Sequence, residues 1–203
     1  MKFAILGAGG IAREIHGLLM DNGVSPEAVE FFVDVAFVSE ANNHLDIEGL
    51  RKADPTIVAI PAAGSSDLRE KWYESLSNHI DFNVVTHRLA LLGPRVTLGK
   101  GSIVTAHCHL TCDIVVGICG QFNLQTTVGH DVTIGDYFTT GPKVNICGNV
   151  QIGHRVTIGA SGTIAPGVSI CDDVTIGAGA VVVKNITEPG TYAGVPAKKL
   201  EPK

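Results

Sequence analysis

A histidine followed directly by an aspartate, His130-Asp131, is the pair in this chain best suited to moving a proton. Imidazole titrates near neutral pH and serves as a general base. An adjoining carboxylate favours the imidazolium and so strengthens that base. Eighteen residues further on stands Gly148, and eighteen residues earlier Cys112. A glycine leaves its backbone amide bare to a ligand. A base beside an amide donor is the equipment for attack on an acyl carbonyl: the base removes the nucleophile's proton, and the amide meets the charge developing on the carbonyl oxygen. The second group is Gly7-Ala8-Gly9-Gly10-Ile11-Ala12, with Asp34 downstream. Glycines there let the backbone approach a phosphate at a helix N-terminus, and an acid at the end of the next strand accepts hydrogen bonds from a ribose or a base.

Other reactive side chains carry less. His154 and His109 fit a solvated corner and an outward strand position. His107-Cys108-His109 has the look of a metal pair, but strand alternation turns the central Cys108 inward and no third ligand lies a coil away, so no metal is expected. Cys112 reads as packing rather than as an acyl carrier, and Trp72 as core rather than as a stacking platform. The five cysteines contain no CxxC pair and read as free thiols in a reducing compartment.

The element that must position His130 is a repeat. Stepping by six from Leu92 gives sixteen positions ending at Val182, and fifteen of them are apolar, Thr140 being the exception. The following residue is Gly in nine units, and the residue four after the anchor is small or β-branched in every unit but the one that holds Phe138. Positions five and one of successive units are two apart, so both point to one face of a short strand. Gly, Pro, Asp, Asn and His between them suit a corner. Three units close a triangular coil of eighteen residues, which puts Cys112, His130 and Gly148 on one corner, a coil apart. Such an array is stable only when each coil is buried by its neighbours.

The front of the chain has another period. Lys2–Leu6, Phe31–Val33, Thr56–Ile60 and Phe82–Val85 read as strands, and Ile11–Met20 and Ser66–Leu76 as helices. This alternation predicts a small parallel α/β domain, one half of a Rossmann-like fold, over residues 1–85. Residues 86–91 link it to a parallel β-helix over 92–186, and 187–203 form a tail. The chain is thus mostly β overall.

Composition excludes several roles. The net charge is −5 and no Lys/Arg run exceeds two residues, which argues against nucleic acid or a charged membrane surface as partner. No stretch approaches about 20 apolar residues, and the N-terminus lacks a signal-type apolar core, so a cytoplasmic address is expected.

The six-residue pattern resembles the hexapeptide-repeat family, whose coils are left-handed, and the handedness is taken from that resemblance. More narrowly, Gly7-Ala8-Gly9-Gly10, Asp34, Thr56–Ile60, His87-Arg88-Leu89-Ala90, Asn123 to Gly135 and Gly194-Val195-Pro196-Ala197-Lys198 resemble bacterial sugar acyltransferases: sialic acid O-acetyltransferases and N-acetyltransferases of UDP-4-amino-sugars. The resemblance implies His130 as general base, Asp131 as its support, and Gly148 as donor to the thioester oxygen. It implies acetyl-CoA lying between subunits of a homotrimer near Thr139, Ala160 and Ala178. The nucleotide would rest against Gly9, Gly10, Ile11, Asp34 and Pro61. Ile11 and Thr139 stand where relatives carry His, Pro61 replaces a Gly, and Val35 a second Asp. An amino group on a UDP-linked sugar is the expected acceptor. A sugar hydroxyl such as that of a sialic acid, or a non-catalytic nucleotide-binding solenoid, are the alternatives.

Overall fold

The computed structural model describes residues 1–34, 45–50 and 56–201. The N-terminal part is an α/β sandwich. Its elements are β1 (Lys2–Leu6), α1 (Gly10–Asp21), β2 (Val29–Val33), β3 (Leu45–Asp46), α2 (Ile47–Leu50), β4 (Ile57–Pro61), α3 (Ser66–Leu76) and β5 (Asp81–Phe82). The five strands form a parallel sheet in the order β3-β2-β1-β4-β5. Alternation along β1 decides which helix covers which face. Ile5 packs with Ala12, Ile15, Leu18 and Leu19 of α1, while Ala4 and Leu6 pack with Trp72 and Leu76 of α3. Leu6 lies level with Phe32 and Pro61, so the strand ends that lead into Gly7, Asp34 and Ala62 converge.

The remainder is the parallel β-helix that the six-residue frame predicts. Three ladders make its faces. Face I runs from Leu91–Leu92 to Val181–Val182, and face II from Val96–Leu98 to Ser169–Ile170. Face III runs from Val85–Thr86 to Lys198–Lys199. Every anchor from Val104 to Val182 is buried. Thr140, the polar one, is satisfied inside: its hydroxyl accepts the Asn123 N–H at 2.8 Å and pairs with that of Thr126 at 3.0 Å.

Corners are where residue types gave least guidance. Every sixth residue from Arg95 to Gly179 has positive φ, and twelve of them are not glycine, Tyr137 and Lys143 included. That conformation costs an L-residue about 1–2 kcal/mol. From Asp113 onward it is offset by regular bonding: each such amide donates to the corner carbonyl one coil earlier, as Asn149 does to His130 at 2.9 Å and Asp173 to His154 at 3.0 Å.

Three boundaries differ from expectation. The expected strand Phe82–Val85 is divided: Phe82 pairs with Ala59 in the α/β sheet, and Val85 with Ile103 in face III. Residues 86–91 therefore carry solenoid rungs at both ends, since Leu91 pairs with His109. At the other end, Gly190–Ala193 joins Val174–Ile176 and Lys198–Lys199 folds back antiparallel, so the tail closes face III. Val35 lies outside the described residues.

Candidate active site

His130 stands on the edge where face I turns into face II, between Thr127–Val128 and Val132–Ile134. Asp131 takes the left-handed corner position with φ 58°. Its carboxylate lies 2.7 Å from His130 Nδ1. An Nδ1–H donated to Asp131 leaves Nε2 as the lone-pair nitrogen. Both side chains are more than half exposed, so the ring is open to a substrate. Nε2 sits against Gly148: a Cβ built there would be 2.7 Å from it. The closeness of the coils is also why Gly129 precedes the histidine, since a Cβ on it would meet the Gly148 nitrogen at 2.6 Å.

The Gly148 amide is open. Cys147 N–H donates to Ile164 and Asn149 N–H to His130, but among the described residues no oxygen takes the Gly148 N–H. Pro166, one coil above, has no N–H and no hydroxyl to offer. On the edge between faces II and III, three of the corresponding amides are capped by a side chain from the coil above. Ile118 N–H donates to Asp136 at 2.8 Å, Asp136 N–H to His154 Nδ1 at 3.1 Å, and His154 N–H to Asp172 at 2.7 Å. Cys112, below His130, has its thiol pushed up by loss of solvent and by the Asp113 carboxylate, which opposes a thiolate nucleophile.

The second feature is a cavity of about 560 Å³ at the carboxyl ends of β1, β2 and β4. It is lined by Gly7 to Ile11, Val33 and Asp34 on one side, and by Ala62 to Ser65, Leu68 and Trp72 on the other. Ligands of open parallel sheets bind at such strand ends. Gly7 has φ +106°, and a Cβ there would press on the Ala62 carbonyl at 3.1 Å. Gly9 caps α1 without a side-chain hydrogen bond, no acid occupies the first turn, and Gly9 and Gly10 face open space. The first amides of α1 are therefore ready for an anion. The N-terminus of α3 is already filled, because Ser65 Oγ accepts the Leu68 N–H. Lys71 sits at 3.8 Å from Asp34 on the rim.

The structure brings some expected residues together and separates others. Gly9, Gly10, Ile11 and Asp34 line the cavity. Pro61 does not: β4 runs one residue further than expected, and Pro61 is buried beside Gly101 of the solenoid while Ala62 turns to the cavity. Ala160 and Ala178 stack on the edge between faces III and I, with Gly179 N–H donating to Ala160 at 2.8 Å. That edge is not the one carrying His130. Thr139 is buried on face III, and its hydroxyl accepts from Arg69 at 2.8 Å.

The cavity wall 62–65 and Arg69 were not anticipated. Ala62 to Ser65 have no sequence signal beyond their place after a strand. Arg69 has one: it lies three and seven residues before Trp72 and Leu76, on the apolar stripe of α3. No group of three or more His, Cys, Asp and Glu fit to hold a metal occurs among the described residues. No helix among them is long and apolar enough to cross a membrane.

A family model described as the hexapeptide repeat of succinyl-transferase matches residues 149–184. The likeness to solved structures extends over nearly the whole chain. The acetyltransferase domain of PglB from Neisseria gonorrhoeae FA1090 is 28% identical with a TM-score of 0.89, over 98% of this chain and 99% of that one. The same domain has been solved with acetyl coenzyme A. PerB from Caulobacter crescentus, solved with CoA and GDP-perosamine, is 28% identical with a TM-score of 0.89, over 99% of this chain and 98% of that one. A histidine-to-asparagine variant of perosamine N-acetyltransferase from that organism, with the same ligands, is 26% identical with a TM-score of 0.89, over 100% and 98%. Fold and these likenesses together mark an acyl-CoA-dependent acyltransferase, similar to the sugar acetyltransferases of the hexapeptide-repeat class. The resemblance to hexapeptide-repeat sugar acetyltransferases read from the sequence is borne out at that level.

Proposed function

We propose that the protein transfers an acetyl group from acetyl-CoA to the amine of a nucleotide-linked amino-sugar, of the UDP-4-amino-sugar class, with His130 as general base. The observation that carries this reading is the corner where His130 Nε2 adjoins Gly148, whose amide has no acceptor among the described residues. Acetyl-CoA supplies the acyl carbonyl and a thiolate leaving group. Gly148 N–H is placed to meet the charge that develops on the carbonyl oxygen. His130 Nε2 accepts the proton of the attacking amine, and Asp131 holds Nδ1–H and offsets the charge of the imidazolium. The same proton then passes to the departing thiolate, which returns the base to its starting form. No metal takes part in this scheme.

The cavity at Gly9, Gly10, Ile11 and Asp34 is the place for the nucleotide diphosphate, since uncapped amides of α1 favour phosphate. A relative solved with both CoA and GDP-perosamine supports a nucleotide-sugar as the acceptor. The residues assigned to acetyl-CoA, Ala160 and Ala178, lie on a different edge of the prism from His130. A neighbouring copy that laid its III/I edge beside the His130 edge would complete the site, as a homotrimer does. The outward positions of faces I and II carry no Asp, Glu, Lys or Arg from Leu91 to Val181, which suits packing between copies.

The test is to offer the purified protein acetyl-CoA with a UDP-4-amino-sugar, a GDP-4-amino-sugar or a sialic acid, and to follow thiol release. Turnover with a nucleotide amino-sugar is expected. Turnover with sialic acid alone would replace amine transfer by hydroxyl transfer, and GDP preference over UDP would move the acceptor to the guanine series.

A further inference from the structure

Arg69 has no solvent exposure, yet among the described residues no carboxylate is bonded to it. Its guanidinium is instead surrounded by neutral oxygens from three parts of the chain. Nη1 donates to the Ala63 carbonyl at 2.7 Å and lies 3.4 Å from Gln121 Oε1. Nη2 donates to the Tyr137 carbonyl at 2.7 Å, the Phe138 carbonyl at 3.1 Å and Thr139 Oγ1 at 2.8 Å, and Nε to the Cys119 carbonyl at 3.2 Å. Burial lowers its pKa to about 10, so the group still carries its charge at neutral pH. A buried charge without a counter-ion is costly, and a well-packed apolar side chain would serve cohesion alone at least as well. What the guanidinium does that an apolar side chain does not is fix direction. Its planar fork holds several acceptors at once in one geometry.

Those acceptors are unevenly placed. Ala63 belongs to the wall of the cavity, and every other partner belongs to two successive coils of the solenoid. One side chain thus sets the cavity wall against the scaffold that carries the transfer corner. We propose that Arg69 is a positioning residue for the acceptor. It fixes the cavity wall at Ala62–Ser65 relative to the solenoid, so that a sugar extending from the bound nucleotide arrives in register with the acyl group. This rests on the reading of the cavity as a nucleotide site. It assigns Thr139 a role through Arg69 instead of direct contact with CoA.

Reacting groups misplaced by about 1 Å lose roughly 10²-fold in rate. Arg69→Lys keeps the charge and the stem but cannot reach Ala63 and Thr139 together. The measurements are the binding of UDP and GDP by calorimetry, the KM for acetyl-CoA, and kcat/KM for the nucleotide amino-sugar, with thermal melts as a check on folding. The expected result is nucleotide affinity and acetyl-CoA KM within about threefold of the parent, and kcat/KM for the sugar lower by about 10–10²-fold. Thr139→Val removes one acceptor, and the expected change is in the same direction, at several-fold. It keeps the test open if Arg69→Lys does not fold. A role in cohesion alone would lower the melting temperature and leave the kinetics of the folded fraction unchanged, which would overturn the proposal. Binding of neither UDP nor GDP by the parent protein would instead sink the cavity reading, and this proposal with it.

Discussion

At two corners of the solenoid a histidine has an aspartate beside its Nδ1. His130 on the I/II edge lies 2.7 Å from Asp131, its own neighbour in sequence. His154 on the II/III edge lies 3.1 Å from Asp136, one coil away. The difference is in what surrounds them. Along the II/III edge, Asp136, His154 and Asp172 each take the corner amide one coil below. Arg155 extends the same edge, joining Asp173 at 2.7 Å to Glu70 of α3 at 3.5 Å. Along the I/II edge the residue above His130 is Gly148, which has no side chain to cap the histidine and whose own amide is uncapped. One edge uses its polar groups to hold coils and domain together, and the other leaves a base and a donor free. A His-Asp contact is therefore weak grounds for catalysis, and the discriminating feature is what stands one coil above: a bare glycine against the His130 ring, and an aspartate that takes the N–H of His154.

The largest effect that sharpens this contrast is expected at the open edge. His130→Ala removes the base and should cost roughly 10²–10⁴-fold in kcat while the melting temperature stays near that of the parent. Thiol release and circular dichroism on the same preparation read both quantities, and an unchanged kcat would move the chemistry elsewhere. Gly148→Ala comes next. Its new Cβ would fall 2.7 Å from Nε2, so the imidazole must swing away from the position it holds. A loss of about 10²-fold in kcat is expected, with the ring still present. Activity equal to the parent's would show that the closeness of ring and glycine has no part in the rate.

These contrasts also show what the sequence carried and what it did not. A strict period of six is a statement about every coil at once, so the buried anchors and the alignment of Cys112, His130 and Gly148 could be counted off. The same counting missed the first rung, because the anchor position before Leu92 is Thr86, which breaks the apolar pattern although it pairs with Val104. It also gave no sign that Arg95, Tyr137 or Lys143 would be left-handed, since coil closure and ladder bonds impose that conformation, not residue type. Pro61 falls one residue short of the cavity because β4 continues through it before the chain turns. Arg69 was hardest to read: Cys119 and Tyr137 lie fifty and sixty-eight residues away, and no local pattern encodes such partners.

The smallest effect is expected at the capped edge, and it is the one that most directly separates the two. Replacing His154 by Ala removes the acceptor of the Asp136 amide. That hydrogen bond is worth about 1 kcal/mol, or about 2–4 °C in melting temperature for a chain of this size. Asp136 is about one-third exposed, so water takes up the freed N–H, and the lower end of that range is expected. The ion pair of Arg155 with Asp173 and Glu70 is left in place, so α3 should keep its seat on the solenoid. The turnover number should stay within about threefold of the parent, since no step of the transfer uses this ring. A rate loss above tenfold in folded His154→Ala would mean that this edge also meets substrate, and the contrast between the two edges would no longer locate the chemistry.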